Sequence, residues 1–296
     1  MLKLQTPVAD IPCNAGISYS DKIMMTGSCF TDNIGRLLTN YGFDVCVNPF
    51  GTLYNPASVA GSIKRLIDGN EFRAEDCVEI GAGDARICSF HHHTSFARTS
   101  KEEFIRNANE KLAEASAFFK ECNKVIITLG TSWCYRHIEK DMIVSNCLKH
   151  PSREYVREFL PTDRTAWILR EIMKICNSAD GMCRKEFIFT VSPIRHFKDG
   201  AHGNQISKSA LLLGIEDFIQ NLPADLNPAD YFPAYEIMMD ELRDYRFYAE
   251  DMCHPSQQAV DYIRERFLDW ALPSSERQAL EENIRRFRHS QHRSSH

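Results

Sequence analysis

The 296-residue chain contains no run of about 18 apolar residues, so no transmembrane helix is expected. Its 14 glycines and 12 prolines are too few for a collagen-like or low-complexity chain. It has no internal repeat and no Ser/Gly linker. It also lacks a strong charge of either sign: 35 Lys and Arg stand against 40 Asp and Glu, a formal net charge of -5. That balance argues against a surface built for nucleic acid. Met1 to Asp21 lacks a basic stretch followed by an apolar one, so no cleaved secretory signal is expected. The 11 cysteines are odd in number and include no CxxC pair. Cys29, Cys46, Cys122 and Cys176 lie in or beside apolar stretches, which suits reduced, buried thiols in a cytoplasmic protein.

With 43% hydrophobic residues the chain can build a sizeable core. Short β-like runs alternate with amphipathic stretches. Lys22–Thr26, Phe43–Val47, Lys124–Leu129 and Glu186–Val191 read as strands, the last two as β-branched or aromatic runs buried on both faces. Helices are expected over 33–38, from Pro56 to Gly69, and over 102–122, 165–175, 205–222, 235–242 and 256–270. Strands separated by helices predict an α/β fold with a parallel sheet wrapped by helices. Ligands in such folds bind at the C-terminal edge of the strands. Gly27-Ser28, Gly130-Thr131 and Ser192-Pro193 each follow a strand, so three turns are expected to converge there. Residues 1–273 are expected to form one domain. Residues 274–296, ending RRFRHSQHRSSH, are expected to be a charged tail, or a helix carrying Leu280, Ile284 and Phe287.

Two motifs can carry chemistry. In Thr26-Gly27-Ser28-Cys29-Phe30, between a strand and a helix, Ser28 either exposes its hydroxyl at the sheet edge or caps the helix. Cys29, at the electropositive start of the helix, is a rival nucleophile or a packed thiol. In Asp251-Met252-Cys253-His254, a carboxylate three residues from an imidazole can bond its Nδ1–H and leave Nε2 to take a proton.

The set of motifs resembles the GSCFA family, within the wider SGNH (GDSL-like) hydrolases. The resemblance rests on MMTGSCFTDNIGRLL around Ser28, on NPFGTLYNP from Asn48 to Pro56, and on FHHHTSF from Phe90 to Phe96. It rests also on TLGTSW from Thr128, on SPIRH from Ser192 with Asn204 to Lys208, and on Asp251 to Ser256. It covers roughly Ile23 to Trp270. It implies a flavodoxin-like three-layer α/β/α sandwich with a mostly parallel sheet, and an esterase working through an acyl-serine.

In that scheme Ser28 attacks, His254 moves the proton and Asp251 orients His254. Gly51 and the N–H of Ser28 hold the oxyanion. The third block has no asparagine where the wider superfamily has one, so Thr131, Ser132, Asn48 or Asn55 is expected to donate instead. His92 or His93 could line the cleft, or be structural. Arg195 either holds a substrate anion or pairs with an acid. His202 and Lys208 are expected in a solvated loop and a first helical turn. Three consecutive histidines do not make a zinc site, and no metal or organic cofactor is expected. The expected ligand is a small-molecule or carbohydrate ester, with no nucleic acid or membrane partner. The rival reading, favoured by the missing asparagine, is a glycan- or ligand-binding protein without turnover.

Overall fold

A computed structural model of the chain describes residues 6–9, 12–223 and 225–294. Part of the segment read for a secretory signal (residues 1–5, 10 and 11) and the last two residues of the basic tail lie outside the described residues.

In chain order the elements are β1 (Lys22–Gly27), α1 (Cys29–Asn40), β2 (Asp44–Val47), α2 (Pro56–Asp68), β3 (Val78–Glu79), β4 (Ile87–Cys88), α3 (Lys101–Glu121) and β5 (Lys124–Leu129). There follow β6 (Trp133–His137), β7 (Met142–Val144), β8 (Tyr155–Phe159), α4 (Thr162–Ser178), β9 (Glu186–Val191), α5 (Gly200–Gln220) and β10 (Ala229–Phe232). The chain ends with a short α6 (Ala234–Glu236) leading into a π turn at Ile237–Glu241, then α7 (Gln257–Ala271) and α8 (Arg277–Ser294).

The central sheet has the order β10-β9-β5-β1-β2, and every pairing is parallel. Counted in chain order, this is the 2-1-3-4-5 order of flavodoxin-like sheets, with its switch point between β1 and β5. Alternation along the strands splits the core into two layers. Met24, Val125, Ile127, Phe187 and Phe189 face α2, α3, α4 and α5, whereas Ile23, Met25, Ile126 and Ile188 face α1 and α7. The architecture is a three-layer α/β/α sandwich.

Local chemistry sets the element ends. Asn55 caps α2 through Ser58 N–H, Pro56 opens it, and Gly69 closes it at φ 65°. Ser256 caps α7 by accepting from Ala259 N–H. One region departs from expectation. Residues 133–159 form a three-stranded antiparallel sheet in the order β7-β6-β8, inserted between β5 and α4. Of the two alternatives for the C-terminal segment, Arg277–Ser294 takes the helical one: Leu280 is buried, Ile284 and Phe287 pack on the α1/α7 core layer, and Phe287 meets Tyr41 edge-on.

Candidate active site

The turn after β1 is fixed by one glycine. Gly27 has φ 143°, and a Cβ there would lie 2.1 Å from Thr128 O on β5. Its N–H donates to Asn48 Oδ1 at 2.8 Å, and Asn48 Nδ2 donates to Asp32 Oδ1 at 2.6 Å. Asn48 therefore braces the turn rather than reaching into a cleft.

Ser28 is 0% exposed. Its Oγ accepts from Phe30 N–H at 3.3 Å as the cap of α1, and its N–H donates to Thr128 O at 3.1 Å. The expected reacting hydroxyl is thus turned inward. Cys29, the first residue of α1, lines a cleft with a volume of about 600 Å³. The reason is local: α1 starts one residue after Ser28, so Ser28 takes the extended cap conformation and Cys29 begins the first turn. Burial pushes the Cys29 thiol above its ordinary 9.0, against the opposing pull of the Cys29 and Phe30 N–H groups and of Lys208.

Asp251 and His254 line the same cleft. Asp251 Oδ2 meets His254 Nδ1 at 2.5 Å, while Oδ1 accepts from the N–H groups of Cys253 and His254 at 2.9 Å each. Those two backbone donors, with the imidazole, hold the Asp251 carboxyl down to about 2. Arg195 N–H donates to Cys253 O at 3.0 Å, so the segment after β9 carries this turn. The two distant ends of the chain thereby face one cleft at the sheet's switch point.

The other expected residues divide. Thr131 lines the cleft, sharing its hydroxyl with Ser207 Oγ at 2.9 Å. Arg195 lines it too, stacked over Phe197 and Tyr248. Ser132 is fully buried and bonded to Ser207 through both its N–H and its hydroxyl. Gly51 does not present its N–H to the cleft: that group closes a turn onto Asn48 O at 2.8 Å. Its missing side chain instead makes room for His93, whose Cβ would lie 2.5 Å from a Cβ at Gly51.

His92 is a core residue, correcting its expected role in the cleft. It is 0% exposed, its Nδ1 meets Ser89 Oγ at 2.7 Å, and its ring packs among Phe50, Phe72, Phe96 and Phe104. Burial holds its pKa well below the usual imidazole range. His93 Nδ1 engages Ser95 and caps a 3-10 turn outside the cleft. Among the described residues no group of three or more His, Cys, Asp or Glu could hold a metal ion.

Sequence reasoning set aside two cleft features and one buried lysine. Trp133, Tyr135 and Arg157, from the inserted sheet, form a wall, with Arg157 stacked on both rings and ion-paired to Asp199. His196 also lines the cleft. Lys208 is not a solvated first-turn lysine. It is 1% exposed and its Nζ donates to Gly130 O at 2.6 Å and Ser192 O at 2.7 Å, joining the ends of β5 and β9. Burial lowers it to about 7, and Cys29 pulls the other way. The signal was present: Asn204, Ser207, Lys208, Leu211 and Ile215 fall on one helical stripe.

No curated protein and no solved structure matches the chain. The GSCFA family model matches residues 22–267. With most of its length covered by that match, the chain belongs to the GSCFA family.

Proposed function

We propose that this GSCFA-family protein is a hydrolase of SGNH type, an esterase that removes a small acyl group from a carbohydrate or other polar alcohol, with Cys29 rather than Ser28 as its nucleophile. The observation that carries the reading is the shared cleft: Cys29 and His254 both line it, and Asp251 grips the imidazole from behind at 2.5 Å. A thiol raised by burial needs a base at the moment of attack, and an imidazole with its Nδ1 bound to a carboxylate is such a base.

In the first step Cys29 Sγ attacks the acyl carbon while His254 Nε2 accepts the thiol proton. The carbonyl oxygen becomes an oxyanion at the N-terminus of α1, where the Cys29 N–H and the helix dipole favour negative charge. The intermediate collapses to an acyl-thioester, and the alcohol leaves with the proton from His254. Water, deprotonated by His254, then attacks the thioester, releasing the carboxylic acid and restoring the thiol. Asp251 keeps His254 in the Nδ1–H tautomer and stabilises the transient imidazolium. The cleft has room for a small polar ester between Trp133, Tyr54 and Arg195. A thiol nucleophile requires reducing surroundings, which suits a cytoplasmic protein. Among the described residues no helix is long and apolar enough to cross a membrane.

The test is turnover of 4-nitrophenyl acetate and of acetylated sugars by the wild-type chain, Cys29→Ala, Ser28→Ala and His254→Ala. The expected result is loss in Cys29→Ala and His254→Ala, with activity retained in Ser28→Ala. Loss only in Ser28→Ala returns the reaction to the hydroxyl. No turnover in the wild type favours a binding protein that keeps the cleft.

A further inference from the structure

An acyl-transfer site needs hydrogen-bond donors for the oxyanion, and several of the groups expected to supply one are engaged elsewhere. Gly51 N–H is spent on Asn48 O and the Ser132 hydroxyl on Ser207, while Asn55, which lines the cleft, gives one of its two amide N–H groups to Ser58. We propose that His196 fills this role, donating to the oxyanion from Nε2 as a neutral imidazole. The inference rests on the Cys29 reading above and adds a catalytic residue to it.

Three observations carry it. His196 Nε2 is buried with no hydrogen-bond partner among the described residues, although its ring lines the same cleft as Cys29 and His254. Leaving a buried polar nitrogen without a partner is costly, so a structure that keeps one in a cleft wall needs a reason. The ring is also held in place. His196 N–H donates to Asn204 Oδ1 at 2.9 Å, and the imidazole packs edge-on to Tyr54 with centroids 5.7 Å apart. Finally, Nε2 sits against Gly130: a Cβ there would come within 3.2 Å of it and 3.3 Å of Tyr54. The third block therefore contributes an empty space, into which the imidazole nitrogen reaches, where the wider superfamily has its asparagine amide.

The two cleft histidines have opposite environments. His254 is half exposed and bound to a carboxylate, which suits a base that must take and return a proton. His196 is lowered to about 3 by burial, helped by the nearby Lys208 and His254 charges, so it stays neutral at pH 7. A neutral donor stabilises an oxyanion without competing for the Cys29 proton.

Two reagents separate donor from base. Acylation of Cys29 by 4-nitrophenyl acetate passes through an oxyanion; alkylation by iodoacetamide does not. In His196→Ala the ratio of acylation to alkylation rates, read by mass spectrometry at Cys29, is expected to fall about 100- to 1,000-fold, with alkylation itself within about twofold of wild type. His196→Gln, which restores an N–H donor, is expected to recover part of the ratio. An unchanged ratio at a labelled Cys29 overturns the role of His196 and leaves the thiol reading intact. A parallel fall of both rates also overturns it, because His196 then acts on the thiol or the fold. If neither reagent labels Cys29 in the wild type, the thiol reading fails and this inference with it. On the unaltered protein, nitrogen-15 NMR should find His196 neutral with the proton on Nε2 at pH 7. A proton on Nδ1 alone, or an imidazolium, contradicts the proposal whatever the variants do.

Discussion

Replacing Lys208 by Met removes the buried amine that joins the ends of β5 and β9 while keeping most of its volume. In the fold this amine titrates at about 7 against an ordinary 10.5. At about 1.4 kcal/mol for each tenfold change, that difference corresponds to about 5 kcal/mol. The sign follows from proton binding. Between pH 7 and 10.5 the unfolded chain holds the proton on this lysine and the folded chain does not. Stability through Lys208 therefore rises with pH over that interval, and below pH 7 its full cost is present. From pH 7 to pH 9 the gain is about 2 kcal/mol.

Other groups move the opposite way. Burial raises Cys46, Cys88 and Cys122 to about 11, so unfolding is favoured once exposed thiols ionise. These contributions are common to both proteins and cancel in the difference. Lys208→Met also leaves Gly130 O and Ser192 O without their donor, at about 1–3 kcal/mol each, independent of pH. Urea unfolding of both proteins from pH 6 to 10 reads the effect. Wild-type stability minus variant stability should climb by about 2 kcal/mol between pH 7 and 9. A flat or falling difference refutes the reasoning.

Three more outcomes follow from the same geometry. Gly27→Ala sets a Cβ 2.1 Å from Thr128 O at a φ of 143°, with backbone on both sides of the clash; a loss above about 4 kcal/mol is expected, seen as a collapsed melting temperature or insoluble expression. Asp251→Asn keeps the size of the side chain but no longer accepts the His254 proton contact as a carboxylate, so turnover should fall about 100- to 10,000-fold while the circular dichroism spectrum is unchanged. The rate of Cys29 alkylation by iodoacetamide should rise with pH to a midpoint above 9.0, because burial holds the thiol protonated. A midpoint below 7 would instead mean a preformed thiolate–imidazolium pair.

Much of the scaffold was legible because some segments allow only one environment. Lys124–Leu129 and Glu186–Val191 are short apolar runs bounded by Gly130 and Ser192-Pro193, which suits strands covered on both faces. Pro56 and Gly69 marked both ends of α2. The inserted sheet was not legible: its strands Trp133–His137 and Tyr155–Phe159 mix aromatic and charged residues and are only partly buried, so no clean alternation emerges. Lys208 was misread because its charge outweighed its helical spacing, although two carbonyl acceptors make a buried amine tolerable. That Ser28 caps α1 and Cys29 opens it depends on where the first helical turn begins, which is the least certain feature of any sequence-based helix boundary. In the C-terminal helix, the Leu280, Ile284 and Phe287 stripe was visible, but the surrounding charge suggested solvent rather than a docked face.

The most direct measurement of the central claim is the identity of the atom that becomes acylated. Acid-quenched digestion after a brief reaction with 4-nitrophenyl acetate, followed by fragmentation mass spectrometry, assigns the adduct to one residue of the Ser28-Cys29 pair. The account predicts acetyl on Cys29 Sγ, released by hydroxylamine at neutral pH as a thioester and formed far more slowly in His254→Ala. Acetyl on Ser28 Oγ, or a Cys29 adduct whose formation is indifferent to His254, contradicts it.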